Sequence, residues 1–509
     1  MNKFFLALTL TTGVVFSSYA DLNSNGYYRV KNYGSSRWAT LVDNYAQVDF
    51  FAGDADLHSM VLTKDTEAIL SDPGSIVYIT KKSSNQYDVA GQGVTLESLV
   101  NNTISIRKND SKKGDDNQSL YMIYGTYKGA TKYIGDAEII SSEVIGETSI
   151  NVANTNLRNW YILPLDVNSD NYFGAVPSVN TNNGQYTTLF TSFAYKPYSN
   201  GITAYYISRV GYGMAEMVEI TDAVPPGSPV IIKCAGEKVS DNKMEIVEMQ
   251  NTLPANALTG VYFDYSGYTH TNQVKYDPNT MRILGKCSDG SLGFVTGNIS
   301  YIPANTAYLK VPAGSAPEIK CVTPEEYEQN LPEAPENYTF GNDNYPLYPQ
   351  GEDNYTGTFE IPAPTDGTDV KIKFYASSAT KADDNFIGAY GEETIVNEGR
   401  SSLPFQYGSP YYWILKNWDG GILEVTINLQ YQYVKFYSQT AGIETIYTDK
   451  GTIIYDGSTV TCDTGSGIEV YNVSGQLMKS SAGNSLNVSD LAKGIYIVKA
   501  KGKSIKIKR

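Results

Sequence analysis

Histidine is nearly absent from this chain: His58 and His270 are the only two among 509 residues. They fall in different predicted domains, so a metal site built from several histidines would need other ligand types as well. Acid–base catalysis by histidine is disfavoured for the same reason. We expect each to be an ordinary surface or turn residue.

Cysteine is also scarce, with four residues in the chain. That number is too low for the disulfide scaffold on which small secreted domains depend. Cys234, Cys287 and Cys321 fall in one region, where one bridge can form and leave one thiol over, and the spacing does not select the pair. Cys462 stands alone in another predicted domain.

Charged residues are few, at 18% of the chain, while Gly, Asn, Ser, Thr and Tyr are plentiful. This composition favours short strands and turns over helices, and the length suggests about three or four domains. We therefore predict an all-β, multi-domain protein.

The formal net charge of −15 argues against nucleic acid as a partner, because binding phosphates requires a cationic surface.

Standard catalytic motifs are missing. The sequence has no phosphate loop, no G-x-S-x-G elbow, no H-E-x-x-H and no C-x-x-C. Residues 21–26 resemble the first half of a calcium loop, but position twelve is Asn32 instead of Glu. Asp383 and Asp384 suit a solvated turn. We expect a protein that is not an enzyme and carries no cofactor or metal. The alternative, a carboxylate pair of the glycosidase type, is not tested by counting acids, because among 54 acidic residues some pair always looks suitable.

The first twenty residues have the features of a signal peptide. Lys3 supplies a positive start, an uncharged and mostly apolar stretch runs from Phe4 to Phe16, and small residues end at Ala20. The alternative, a membrane anchor, needs about 20 apolar residues. No Cys follows the predicted cut, which disfavours a lipoprotein, and no later stretch is apolar enough to span a bilayer. We predict secretion and a mature chain without a transmembrane segment.

Residues 21–166 contain many short strands, from 26–30 to 160–164, with short helices expected around Thr66–Leu70 and Thr95–Val100. Three loosely similar stretches of about 45 residues suggest a β-trefoil. The opening YYRVKN and the closing RNWYILP resemble strands of ricin-B-like trefoils. The resemblance implies a β-trefoil-like N-terminal domain.

A segment rich in Asn, Ser and Gly, residues 166–183, is interpreted as a linker. A middle β domain follows over 184–323, where two proline-containing turns, at 224–229 and 302–306, each lead into an apolar strand. These two phrases resemble a β domain of surface proteins in bacteria with type IX secretion. Residues 324–337 are predicted to hold a short capped helix and a boundary.

Residues 338–440 alternate between apolar and polar positions. Val370, Ile372 and Phe374 share one face of a strand, with Lys371 and Lys373 on the other. This segment, above all residues 413–436, resembles the β-sandwich modules of outer-membrane starch-binding proteins. The resemblance implies a β-sandwich that binds polysaccharide.

The last segment, residues 445–509, contains four phrases in order: GIEVYNVSGQL, LNVSDL, KGIYIV and SIKIKR. Ile505 and Ile507 are predicted to face inward and the intervening lysines outward. Seven cationic residues and no acids follow Asp490. The pattern resembles the type A C-terminal sorting domain of type IX secretion, which implies a small Ig-like sandwich that engages the secretion machinery. The alternative is an Ig-like terminal domain without a sorting role.

Aromatic residues give the single indication of a ligand site. A pyranose presents an apolar face ringed by hydroxyls, which suits Tyr and Trp because both combine a flat ring with a polar tip. The candidate ligand residues cluster around one turn of the sandwich: Tyr407, Tyr411, Tyr412, Trp413 and Trp418. The alternative is that both tryptophans are core residues at strand starts.

Together these features favour a non-catalytic protein, secreted or on the outer-membrane surface and exported via the periplasm. We expect it to bind polysaccharide or glycoconjugate, or to act as an adhesin. The alternatives are a structural cell-envelope protein without a small ligand and, less favoured, a carboxylate-dependent glycoside hydrolase.

Overall fold

The computed structural model describes residues 22, 25–44, 56–127, 129–137, 145–149, 154–249, 251–264, 266–267, 270–331, 335–351, 353–365, 369–376, 386–440, 453–462, 467–472, 475–500 and 503–509. The predicted signal peptide and the Asp383–Asp384 turn lie outside these residues. The described elements are strands with a few short helices, as predicted for an all-β protein. They divide into two compact units. The first unit contains the described residues up to Val210, together with Met214–Val311 and Glu318–Asn330. The second unit contains Gly211–Gly213, Pro312–Pro317 and the described residues from Leu331 onward.

Eleven strands form the first sheet. They are β1 (Gly26–Asn32), β2 (Trp38–Leu41), β3 (Asp56–Thr63), β4 (Ile76–Lys81), β5 (Tyr87–Gly91), β6 (Val94–Thr95), β7 (Ser105–Lys113), β8 (Ser119–Tyr127), β9 (Ala130–Asp136), β10 (Ile145–Ser149) and β11 (Trp160–Pro164). Successive pairings from β1 through β2, β3, β10, β9 and β8 reach β11, which pairs back with β1. The sheet thus closes on itself around an apolar core. The trefoil repeat stays a prediction.

The helices of the first domain lie where the sequence predicts them. They are α1 (Thr66–Leu70) and α2 (Leu96–Val100), with 3₁₀ turns at Pro73–Ser75 and Asp115–Asn117. Asp65 caps α1 by accepting from the amides of Glu67 and Ala68, and Thr95 caps α2 by accepting from Ser98. Each cap satisfies amides that have no partner inside the helix, which is why these five-residue segments form helices among strands.

The next fifteen strands follow in the same unit. They are β12 (Phe173–Gly174), β13 (Val179–Thr181), β14 (Gly184–Leu189), β15 (Ala194–Pro197), β16 (Thr203–Gly211), β17 (Met214–Ile220), β18 (Val230–Cys234), β19 (Lys243–Val247), β20 (Leu258–Val261), β21 (Ser266–Gly267), β22 (His270–Thr271), β23 (Met281–Lys286), β24 (Leu292–Val295), β25 (Thr306–Lys310) and β26 (Glu318–Val322). Ten form one sheet in the order β13-β14-β18-β16-β17-β26-β24-β23-β25-β20, and β12-β19-β15 form a second. A 3₁₀ turn covers Val239–Asp241, and α3 (Pro324–Gln329) follows β26.

Two details of this region bear on the sequence analysis. The predicted capping box of α3 is confirmed: Thr323 accepts from the Glu326 amide, and the Glu326 carboxylate accepts from the Thr323 amide. By contrast, the segment 166–183 contains β12 and β13, and Phe173 is 1% exposed within the core. A polar composition suggested a linker, but one large apolar side chain is enough to anchor such a segment.

Cys234 and Cys287 are buried, Cys321 is partly buried, and all three are free thiols. Burial raises the pKa of the Cys234 thiol to about 12, so this thiol stays protonated at neutral pH. The bridge that the sequence left open among these three cysteines is not formed.

In the second unit, eleven strands follow in residues 338–440. They are β27 (Tyr338–Phe340), β28 (Tyr345–Pro349), β29 (Asn354–Ile361), β30 (Val370–Ile372), β31 (Phe374–Ala376), β32 (Phe386–Ala389), β33 (Thr394–Ile395), β34 (Gly399–Tyr407), β35 (Trp413–Leu415), β36 (Gly421–Asn428) and β37 (Tyr433–Thr440). Eight of them close into a barrel, β27-β28-β29-β36-β37-β34-β32-β31, and β30-β35-β33 form a separate small sheet. The predicted sandwich is thus closed at both edges, because β28 pairs with β27 and β29, and β34 pairs with β32 and β37.

The C-terminal strands build a small sandwich, as predicted. They are β38 (Ile453–Tyr455), β39 (Thr459–Cys462), β40 (Ile468–Asn472), β41 (Leu477–Ser481), β42 (Ser485–Asn487), β43 (Ile495–Ala500) and β44 (Lys503–Lys508). Sheets β38-β39-β42 and β41-β40-β43-β44 share one apolar core. Ile505 and Ile507 are buried in it, whereas Lys506 and Lys508 are exposed, which confirms the predicted alternation.

Candidate functional site

The two tryptophans of the predicted ligand cluster lie in the barrel core. Trp413 is fully buried, with ring centroids 5.6 Å from both Phe374 and Phe436. Trp418 is 4% exposed, and its Nε1 donates to the Ile361 carbonyl at 3.1 Å. A ring that stacks on a sugar must present a face to solvent. The structure therefore assigns both indoles to the core, the alternative that the sequence left open.

Tyr407 is partly exposed, but its hydroxyl is occupied. Its side chain is 38% exposed at the end of β34, and the Tyr338 and Tyr407 hydroxyls are hydrogen-bonded to each other. Partial burial raises the pKa of Tyr407 to about 12. Its ring packs edge-on against the buried Phe405 at 5.3 Å. This tyrosine is tied to the barrel's own packing.

Tyr411 and Tyr412 remain at the surface, on a segment that the backbone holds in place. The Ala389 amide donates to the Tyr411 carbonyl and the Thr394 amide donates to the Tyr412 carbonyl, both at 3.1 Å. Gly388 permits this close approach, because a Cβ there would lie 2.4 Å from the Tyr411 carbonyl oxygen. Tyr411 is 39% exposed and Tyr412 is partly buried. The backbone that carries these two rings is therefore held in place by the fold before any ligand arrives.

Tyr412 belongs to a continuous row of aromatic rings and lysines, which we call the Lys373 row. Its members, in spatial order, are Tyr375, Phe386, Lys373, Tyr412 and Lys371. Ring centroids of Tyr375 and Phe386 are 5.8 Å apart, and Lys373 Nζ lies 4.8 Å from the Phe386 centroid and 4.1 Å from that of Tyr412. Lys371 Nζ lies 5.6 Å from the Tyr412 centroid. Both lysines are thus at cation–π distance from a ring.

The position of Lys373 corrects one expectation from the strand pattern. Strand alternation places Lys373 opposite Ile372 and Phe374, whose side chains are fully buried in the core, and predicts it to be exposed. It is instead 8% exposed, because the rings of Phe386 and Tyr412 cover it. Burial lowers the pKa of the Lys373 ammonium.

The two lysines differ in their electrostatic partners. Lys371 forms an ion pair with Glu393 at 3.5 Å, and both side chains are about half exposed. Within the part of the chain that the structure describes, Lys373 forms no ion pair, and its ammonium lies beside two ring faces. The row therefore carries a positively charged group beside exposed ring surface at Tyr375, which is 39% exposed.

The sequence did not identify Lys373, Tyr375 or Phe386 as site residues. No local signal marks them, since residue 386 reaches residue 373 only through the pairing of β31 with β32. Residue 412 comes to the row through the pairing of β30 with β35, in which Ile372 lies opposite Trp413. Strand pairing between distant segments decides this arrangement.

The other features of the described residues do not form a ligand site of comparable size. An apolar cavity of about 30 Å³ lies inside the first sheet, against Val30, Met60 and Trp160, with room for no more than about two water molecules. Among the described residues, no group of three or more His, Cys, Asp or Glu side chains is placed to hold a metal ion. None of the described helices has both the length and the apolar character needed to cross a membrane.

Comparison with known proteins identifies the C-terminal segment. Residues 437–509 match the model of a family described as "Secretion system C-terminal sorting domain". The match includes the whole predicted tail, residues 445–509, and confirms the sorting-domain prediction.

The remaining comparisons are less informative. No curated protein matches the chain. A solved structure described as "Structure and mode of action of a mosquitocidal holotoxin" matches with 10% identity and a TM-score of 0.21, over 95% of this chain. The chain spans 61% of the length of that toxin chain, and a TM-score this low does not establish a shared fold.

Proposed function

We propose that this chain, which carries a C-terminal sorting domain of type IX secretion, is a non-catalytic glycan-binding or adhesive protein. The sorting domain supports a secreted or cell-surface location, and export through the periplasm is part of the proposal. The ligand site lies on the barrel of residues 338–440, at Tyr411, Tyr412 and the Lys373 row. The three ring-bearing positions of the row give apolar faces, and the two lysines give hydrogen-bond donors.

The observation that carries this proposal is the fixed, partly exposed Tyr411–Tyr412 segment beside the row. Its two carbonyls accept hydrogen bonds from Ala389 and Thr394, so little ordering of the segment is needed on binding. Surface tyrosines on a backbone that is held in this way combine contact area with a low entropic cost, because only two side-chain torsions need to be ordered.

A glycan array with the full mature chain, residues 21–509, tests the proposal. We expect retention by one polysaccharide class. We expect Tyr411→Ala, which removes the more exposed ring of the segment, to weaken it about tenfold, since loss of a stacking ring costs roughly 1.4 kcal/mol. Tyr348→Ala is a suitable control, because Tyr348 is a surface tyrosine, 59% exposed, that belongs to β28 of the same barrel and lies outside the row.

Absence of binding to every glycan on the array would contradict the proposal and favour a structural role in the cell envelope. Release of reducing sugar that an Asp or Glu substitution abolishes would instead indicate a hydrolase. Binding that survives Tyr411→Ala and Tyr412→Ala would place the ligand elsewhere on the chain.

A further inference from the structure

The Lys373 row is cationic on a strongly acidic protein. The chain has a formal net charge of −15, yet two ammonium groups lie within 5.6 Å of the Tyr412 ring centroid. Glu393 is the carboxylate paired with one of them. Neutral sugars need no such concentration of positive charge, because hydroxyls are satisfied by neutral donors as well as by charged ones.

Lys373 is the more informative of the two lysines. Removing an ammonium from water costs free energy unless a counter-charge or hydrogen bonds compensate. The Lys373 side chain is 8% exposed, its ammonium lies 4.8 Å and 4.1 Å from the ring centroids of Phe386 and Tyr412, and no carboxylate of the described residues is paired with it. A position that breaks the local rule of the strand in this way is typical of a binding site.

Lys371 adds a second group that a ligand can reach. Its ion pair with Glu393 joins two side chains that are 55% and 47% exposed. Exposed ion pairs of this kind contribute little to stability and exchange readily. An acidic group on a ligand can therefore take the place of Glu393 without disturbing the fold.

We propose that the Lys373 row binds an acidic sugar, with a carboxylate or sulfate group of the ligand paired to the ammonium groups of Lys373 and Lys371. The sugar ring stacks on Tyr411, whose side chain is 39% exposed. This inference rests on the proposed function and narrows it to uronate-bearing or sulfated glycans. Charge-assisted hydrogen bonds to an anion are stronger than those to a neutral hydroxyl, so the acidic group supplies the selectivity.

Affinity electrophoresis of the full mature chain in gels that contain dextran sulfate, polygalacturonate or dextran tests the inference. Dextran and dextran sulfate share one backbone, so their difference isolates the acidic group. We expect retardation by an acidic polymer, none by dextran, and an about tenfold weaker affinity in Lys373→Gln. Lys435→Gln is the matched control, because Lys435 lies 4.9 Å from the Tyr433 ring centroid outside the row and should bind as the unaltered chain does.

Lys371→Gln keeps the test valid if Lys373→Gln does not fold, since the Lys371 side chain is 55% exposed. Retardation by dextran sulfate alone supports a sulfated ligand, and retardation by polygalacturonate alone supports a uronate. Retardation that neither lysine variant changes overturns the inference and places the polymer on another basic surface.

Two further outcomes separate this inference from the proposed function. Equal retardation by dextran and dextran sulfate, lost in Tyr412→Ala, overturns the acidic-sugar inference and leaves glycan binding intact. No retardation by any of the three polymers overturns the inference, and the glycan array then decides whether glycan binding stands.

Discussion

The two buried tryptophans of the barrel core differ in whether the indole N–H has a hydrogen-bond acceptor. Trp413 and Trp418 are both buried, but Trp418 Nε1 donates to Ile361, whereas Trp413 Nε1 has no acceptor among the described residues. An unpaired buried donor lowers the stability of the native state. Removing that donor therefore offsets part of the free energy of unfolding that is lost when the ring becomes smaller. The two indoles therefore contribute unequally to the same core.

We predict that Trp418→Phe lowers the free energy of unfolding more than Trp413→Phe does, by about 1 kcal/mol. Both variants lose similar ring volume, but only Trp418→Phe breaks a hydrogen bond and deprives the Ile361 carbonyl of a partner. Urea denaturation followed by far-ultraviolet circular dichroism measures the difference. Equal losses, or a greater loss at Trp413, would show that ring packing dominates at both sites.

Lys373 illustrates how one residue can depart from a pattern that its neighbours obey. Ile372 and Phe374 are fully buried, as the alternation predicts, and Lys371 is exposed. Lys373 faces away from the core but is covered by rings from residues 386 and 412. The sequence determines which face a side chain points to, whereas neighbouring segments determine whether that face is covered.

At the scale of the element, the break between β30 and β31 creates the row. β30 pairs with β35 and ends at Ile372, whereas β31 begins at Phe374 and pairs with β27 and β32. Lys373 is the one residue between them. The chain thus passes from the small sheet to the barrel at the position where the buried lysine lies.

The last strand, β44, shows alternation without such a departure. Ile507 is 1% exposed and lies opposite Tyr496 of β43, while Lys508 points to solvent. Arg509 extends the pairing, since its amide donates to the Gly494 carbonyl at 2.9 Å. Lysines on an edge strand also disfavour pairing with other chains.

We predict that Ile507→Ser destabilises the C-terminal sandwich by roughly 2–4 kcal/mol, because it leaves a cavity and a buried hydroxyl. Lys508→Ser, the neighbouring exposed position, should change stability by no more than about 0.5 kcal/mol. Hydrogen exchange of β43 and β44 in the full chain, followed by mass spectrometry, reports this difference. Similar exchange in the two variants would mean that β44 does not support the core.

For the whole molecule, the sorting domain links structure to location. It forms its own apolar core, with residues of β38 and β39 packed against those of β40, β43 and β44. Residues 437–509 match the sorting family. Export should therefore depend on this segment, whereas the glycan binding that we propose should depend on the barrel that precedes it in the chain.

We predict that deletion of residues 445–509 leaves the protein in the periplasm, while Tyr412→Ala and Lys373→Gln are exported normally. Immunoblots of periplasmic, surface and medium fractions check this. Surface exposure of the truncated protein would show that another segment directs export.

The sequence by itself determined the properties that depend on local patterns. Alternation over two residues placed Ile505 and Ile507 inward, and the capping box at Thr323 placed the start of α3. The order of phrases in 445–509 identified the sorting domain. Each of these signals lies within a few neighbouring residues, so the chain need not be folded to reveal it.

The tertiary structure alone decided the properties that join distant segments. It closed the barrel through β28 and β34, buried both indoles, anchored Phe173, and covered Lys373 with rings from β32 and the Ser409–Tyr412 segment. Periodicity along a strand gives the face on which a side chain lies, but the burial of that face depends on which strands pair. Tyr411 and Tyr412 stay candidates that the sequence proposed, whereas the Lys373 row beside Tyr411 arises only from the pairing of β31 with β32 and of β30 with β35.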